Sequence, residues 1–154
     1  MYYIITDPCY IISNENWKNI FDPLDLNDPD FFPKAKKGIE EELNKIGKCL
    51  GVADTGDGDW INKIYRTADF IEVIKREFFA DAGLVCVVEV DDFTKYHIYG
   101  AAIVRSERPL TCKMDRKNHH WTVVRLYDED GRQVLRTKPF LWFLKDLFGI
   151  INYI

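Results

Sequence analysis

Paired cysteines are missing from this 154-residue chain: Cys9, Cys49, Cys86 and Cys112 stand far apart, and no C-x-x-C occurs. That spacing excludes a zinc site built on cysteine pairs and gives no support to a secreted disulfide framework. Four free thiols are expected, with Cys86, inside the apolar run LVCVVEV, packing as a small core residue. No window reaches the ~18 to 20 unbroken apolar residues that a membrane-crossing helix needs, so no membrane partner is expected. The opening MYYIITDPCY has no basic residue ahead of its apolar run and no small-residue cleavage site. A secretory signal is therefore not expected, and the cytoplasm is the expected location. Internal repeats, low-complexity tracts and linker-like stretches are also lacking, so residues 1–154 are expected to form one domain.

Apolar material, by contrast, is plentiful. With 47% hydrophobic and 14% aromatic residues, the chain can fill one core and does not have the composition of a disordered protein. Its net charge of −4 is unevenly spread. Residues 1–61 hold 6 Lys/Arg against 12 Asp/Glu, whereas residues 93–138 hold 10 against 5 and all three histidines, His97, His119 and His120. Two surfaces of opposite sign follow, which either attract each other within the fold, face solvent or meet different partners.

Local patterns predict an α+β fold: a mostly antiparallel, curved sheet of five to seven strands with helices packed on one face. Met1–Thr6 is β-branched and aromatic and reads as a strand. Ser13 is placed to cap a short helix with Trp17, Ile20 and Phe21 on one side. The stretch FDPLDLNDPDFFP (21–33), with three prolines and four aspartates, reads as an irregular surface loop pinned by its Leu and Phe side chains. Ile39, Leu43, Ile46 and Leu50 recur at helical spacing and predict a helix over 34–50, capped by Gly51. A turn-centred segment follows at 52–66, and TADFIEVIKREFF (67–79) fits a helix better than a strand. Leu84–Val90 predicts a strand buried on both faces, with Ile98–Val104 beside it. Trp121–Tyr127 and Arg132–Lys138 flank DEDG as a hairpin, and the last sixteen residues open with a proline at a helix start.

Three short stretches interrupt this pattern. In TDPCYII, Pro8 lacks the N–H a central strand needs, so the strand should kink at Asp7-Pro8 and resume at Tyr10. The same kink could present Cys9 as a nucleophile, with Asp7 orienting a histidine, but no neighbouring base or helix N-terminus is visible to lower the thiol's pKa. In DTGDGDW, Asp54, Asp57 and Asp59 suggest a calcium loop, yet the EF-hand spacing fails: 57, 59 and 61 are Asp, Asp and Ile, and position 68 is Ala. A non-EF Mg²⁺ or Ca²⁺ site would need Asp57, Asp59 and Asp81 together; otherwise this is a glycine-rich turn. In ADAGLV, Asp81 precedes a glycine at a strand entrance, which fits a cap or a member of the same cluster.

DPCY near the start, GDG in the middle and DAGLV at a buried strand together resemble a pattern in small proteins encoded by bacteriophages and mobile elements. The resemblance covers about a dozen residues of the first 85, and implies a phage or mobile-element setting but no activity. In such settings small acidic proteins bind host factors, which is an analogy rather than a derivation. The ligand-binding candidates are Asp7, Cys9, Tyr10, Asp57, Asp59 and Asp81, converging at one end of the sheet; no catalytic residue and no cofactor is expected. The leading expectation is a non-enzymatic binding or inhibitor protein acting on a host protein or small ligand. The alternatives are a small metal- or cysteine-dependent hydrolase or nucleotide-binding enzyme, and a nucleic-acid-binding module through residues 93–138. The basic segment has Tyr96, Tyr99 and Trp121 to stack on bases, but the net acidic chain weighs against nucleic acid.

Overall fold

A computed structural model of the protein describes residues 1–8, 11–25, 27–54, 84–95, 102–117, 121–137 and 150–153. Two helices and eight strands lie among them, and the fold is α+β. The main sheet has five strands in the order β2 (Lys48–Asp54), β3 (Leu84–Val90), β1 (Tyr2–Thr6), β4 (Ala102–Ser106) and β8 (Ile150–Tyr153). All its neighbours are antiparallel except β4 and β8. A second, three-stranded antiparallel sheet runs β5 (Thr111–Lys117), β6 (Trp121–Tyr127), β7 (Gln133–Arg136).

Side-chain alternation explains why three layers form. Along β3, Leu84, Cys86, Val88 and Val90 point to one face, and Val85 and Val87 to the other, all buried. β1 behaves alike, with Ile4 on the first face and Tyr3 and Ile5 on the second. A strand apolar on both sides must be covered on both. Helices α1 (Asn14–Phe21) and α2 (Phe31–Ile46) cover the first face through Trp17, Phe21, Phe31, Ala35, Ile39 and Leu43. The second sheet covers the other through Leu110, Val124 and Leu126.

α1 starts as the sequence predicts: the Ser13 hydroxyl accepts from the Asn16 N–H at 3.2 Å, worth about 1 kcal/mol. Trp17 and Phe21 stack along its inner side, 5.1 Å between ring centroids, and Phe21 reaches Phe31 of α2 at 6.3 Å. Between the helices, Asp25 accepts from the Asn27 N–H and Asp28 from the Asp30 N–H, so the aspartates shape the loop.

α2 occupies 31–46 rather than 34–50. Pro33 falls in its first turn, where a missing N–H costs no intrahelical bond, so the helix begins ahead of the proline. It stops at Gly47, not Gly51, because the chain there runs against β3: a Cβ on Gly47 would lie 2.1 Å from the Glu89 carbonyl oxygen. Cys49 and Leu50 therefore belong to β2. A bulge between Cys49 and Gly51 shifts the register by one residue, and that shift lets Cys49 and Val52 both face the helices.

Two further expectations change. β3 lies between β1 and β2, and the strand at 102–106 pairs with β1 instead, because β1 buries both faces as fully as β3 and takes the centre of the sheet. At the C-terminus, Ile150–Tyr153 is a strand, not the end of a helix; its β-branched pair finds an open edge on β4. The expectations for 55–66, 67–79 and 139–149 lie outside the described residues. Among the described residues no helix is long and apolar enough to cross a membrane.

One hydroxyl ties the layers together. Tyr3 of β1 is fully buried, and its Oη accepts from the Leu110 N–H at 3.0 Å, at the entrance to β5. Burial, then the nearby Glu89 charge, push this phenol up to about 12 despite the Leu110 N–H. A phenol raised in the folded state gives stability that is complete below its ordinary value near 10 and is lost as pH rises toward 12.

Two outcomes are expected. Tyr3→Phe leaves a buried N–H unpaired and costs about 1–3 kcal/mol in urea unfolding, and it makes the decline in stability between pH 10 and 12 shallower. Gly47→Ala forces a backbone clash and costs about 1–3 kcal/mol, whereas Gly51→Ala meets only the mobile tip of Met114 at 3.2 Å and costs less.

Candidate functional site

The question raised by TDPCYII has a structural answer for its described residues. β1 ends at Thr6, and the Pro8 carbonyl then accepts from the Ile11 N–H at 3.1 Å and the Ile12 N–H at 2.9 Å. Ile11 and Ile12 are thus in a turn that feeds α1 one residue later, and the strand does not resume there. The proline sits where no ladder N–H is needed. Asp7 is nearly buried at 9% exposure, and the Thr6 hydroxyl is fully buried without a hydrogen-bond partner among the described residues.

Of the six ligand-binding candidates only Asp7 is described; Cys9, Tyr10, Asp57, Asp59 and Asp81 lie outside the described residues, as do the three histidines. The sheet does fix where their chain segments attach. Thr6 pairs with Cys86, and Asp54 at the end of β2 pairs with Leu84 at the start of β3. Residues 55–83 therefore leave and re-enter the sheet at the end from which Asp7 emerges. Ala102 and Ile150 begin β4 and β8 at that same end. Among the described residues no group of three or more His, Cys, Asp or Glu is arranged to hold a metal ion.

The described thiols are chemically quiet. Cys49, Cys86 and Cys112 are free. Burial pushes Cys86 far above the usual thiol value, and the charge of Asp7 adds to this. Burial raises Cys112 to about 12, and it raises Cys49 as well. Cys49 borders a cleft of about 250 Å³ between α2 and β2, lined by Glu40, Asn44, Cys49, Leu50 and Gly51. There the Asn44 side-chain oxygen accepts from the Cys49 N–H at 2.9 Å, which anchors the start of β2 against the helix. A thiol with a raised pKa is protonated near neutrality and is a poor nucleophile.

The second sheet holds the most strongly charged arrangement. The DEDG turn forms as the sequence predicts, around a carboxylate with no solvent exposure: Asp128 accepts from the Asp130 N–H at 3.0 Å and the Arg132 N–H at 2.9 Å. Arg132 Nε at 3.3 Å and Arg108 Nη2 at 3.8 Å supply its countercharge. Gly131 takes the positive φ, +79°, that closes the turn. Pairing then puts Lys113 opposite Arg125 and Arg125 opposite Arg136. All three side chains point away from the main sheet, since Cys112, Met114, Val124, Leu126 and Leu135, adjacent to them along the strands, face it.

Three cations side by side across three strands oppose one another. Asp115 pairs with Arg125, and the Lys113 ammonium lies 5.5 Å from the centre of the Tyr127 ring. Among the described residues neither Lys113 nor Arg136 has a carboxylate partner, and both are exposed. Sequence reading found the hairpin and the basic excess of 93–138 but not this row. Its signal is the alternation in TCKMDRK and WTVVRLY, which becomes a charge row once the DEDG turn sets the register.

With this geometry in view, comparison with known proteins gives no further guide: no protein-family model, curated protein or solved structure matches the chain.

Iodoacetamide at pH 8 is expected to leave Cys86 and Cys112 unmodified in the folded protein and to label both in urea, read by mass spectrometry of tryptic peptides. Rapid labelling of Cys86 without denaturant would contradict the burial described here.

Proposed function

We propose that this is a non-enzymatic binding protein of a phage or mobile element that docks a negatively charged partner on the outer face of β5–β6–β7. The row Lys113, Arg125 and Arg136 carries this reading. Like charges directly opposite each other on a sheet cost stability, by about 0.2–1 kcal/mol per pair, and an incoming anion turns that cost into attraction. The phage or mobile-element setting rests on the DPCY, GDG and DAGLV motifs, and a host factor is the partner that such a setting implies. The raised pKa values of the described thiols argue against cysteine chemistry at Cys49, Cys86 or Cys112.

Thermal melts separate this reading from an enzyme built on Asp57, Asp59 and Asp81. Ligands of the folded state raise the midpoint by mass action. EDTA, Mg²⁺, Ca²⁺ and a nucleotide panel are expected to leave the midpoint unmoved. A shift with any of them that disappears in Asp57→Ala, or turnover of a substrate lost in that variant, would overturn the binding reading in favour of an enzyme.

A further inference from the structure

The charge row has a companion row beside it. One step toward the hairpin turn, Thr111, Tyr127 and Gln133 lie opposite one another on the same outer face. Successive strands stand about 4.8 Å apart, and residues two apart along a strand are separated by about 7 Å. The face thus presents two parallel lines about 7 Å apart, one of cations and one carrying an aromatic ring, a hydroxyl and an amide. Lys113, Arg136, Thr111 and Gln133 are exposed, Tyr127 is half-buried, and Arg125 between them, its side chain 16% exposed, is paired with Asp115. At the far end of the face Val123 is buried, so the open part is the half toward the DEDG turn.

We propose that this half-face binds a single strand of nucleic acid, with its phosphates at Lys113 and Arg136 on either side of the Arg125–Asp115 pair and its bases over Thr111–Tyr127–Gln133. The inference rests on the binding reading above and names its partner. A nucleic-acid strand carries a line of negative charge beside a line of planar, hydrogen-bonding rings, which is the pattern of the two rows. An acidic polypeptide supplies the first line without the second. Duplex nucleic acid supplies the charge but keeps its ring faces stacked away from Tyr127.

The net charge of −4 does not oppose this. Asp28, Glu40 and Glu42 pair with Lys34, Lys36 and Lys45 on the helix layer. That layer lies beyond the main sheet, on the order of 20 Å from the second sheet, and salt screens exposed charges over about 8 Å at physiological ionic strength.

The test is fluorescence anisotropy with a labelled oligo(dT) of about 12 nucleotides, titrated between about 50 and 200 mM NaCl. Saturable binding is expected, with a log–log salt slope of about −1.4 for two neutralised phosphates. Arg136→Glu is expected to weaken binding at least tenfold and to flatten the slope by about 1, with a melting midpoint equal to or above that of the unaltered chain. Tyr127→Ala should weaken binding about tenfold without changing the slope. Lys113→Gln gives a second reading of the charge row. Absence of saturable binding at the lower salt, or wild-type affinity in both Arg136→Glu and Lys113→Gln, would overturn the proposal. A poly-glutamate peptide of equal charge that competes as well as the oligonucleotide would overturn nucleic acid while leaving the binding reading intact. Failure of both probes would remove the anionic partner as well.

Discussion

Everything in this fold follows from β1 and β3 being apolar on both faces. A sheet centred on such strands cannot leave either side to water, so one side takes α1 and α2 and the other takes the second sheet. The second sheet is thus a cover. Its inner positions, Cys112, Met114, Val124, Leu126 and Leu135, are spent on the main sheet, and Tyr3 fastens its entrance through the Leu110 N–H. Of its outer positions, Val123 is buried, and those nearest the DEDG turn are the open ones. Lys113, Arg125 and Arg136 stand there, where a row of like charges costs little enough to be kept.

The same packing governs the thiols. Cys86 is on a central strand with no exposure at all, and its thiol stays protonated because burial denies the anion solvent and the nearby Asp7 charge repels it. Cys112 lies on the inner face of the second sheet against the main sheet, and Cys49 under α2, so each is raised by the layer packed against it. Burial that makes a good core residue makes a poor nucleophile. At Asp7 the sheet end shows a related tension, with a buried Thr6 hydroxyl that has no partner among the described residues next to a nearly buried carboxylate.

How much was legible depended on whether a signal was local. Ser13 as a cap, the two-faced run Leu84–Val90 and the DEDG hairpin each declare themselves within a few residues, and all three stand. α2 differs from its sequence pattern at both ends because its limits are set from outside: Leu50 continues the helical spacing, but the carbonyl of Glu89 requires glycine at 47 and turns the chain into β2. The neighbours of β3 escape a local pattern for the same reason. Strand order is a long-range property, and β1, eighty residues away in sequence, takes the place expected for the strand ending at Val104. Register hid the charge row. Lys113, Arg125 and Arg136 are scattered along the sequence, and only the pairing of β5, β6 and β7 makes them adjacent.

The uneven charge of the sequence acquires a physical meaning from these layers. The acidic excess of the first 61 residues lies largely on the helices and their connecting loop, where Asp25 and Asp28 hold turns and Lys34, Lys36 and Lys45 neutralise neighbours. Those three acid–base pairs offset part of the excess, and the rest stays on that layer. On the second sheet the accounting differs: Asp128 is buried and committed to Arg132 and Arg108, and Asp115 answers Arg125, which leaves Lys113 and Arg136 exposed with no carboxylate partner among the described residues. A net charge of −4 is therefore a poor guide to what this protein attracts. What a partner meets is the local arrangement of charge, and on the outer face of β5–β6–β7 that arrangement includes the exposed Lys113 and Arg136.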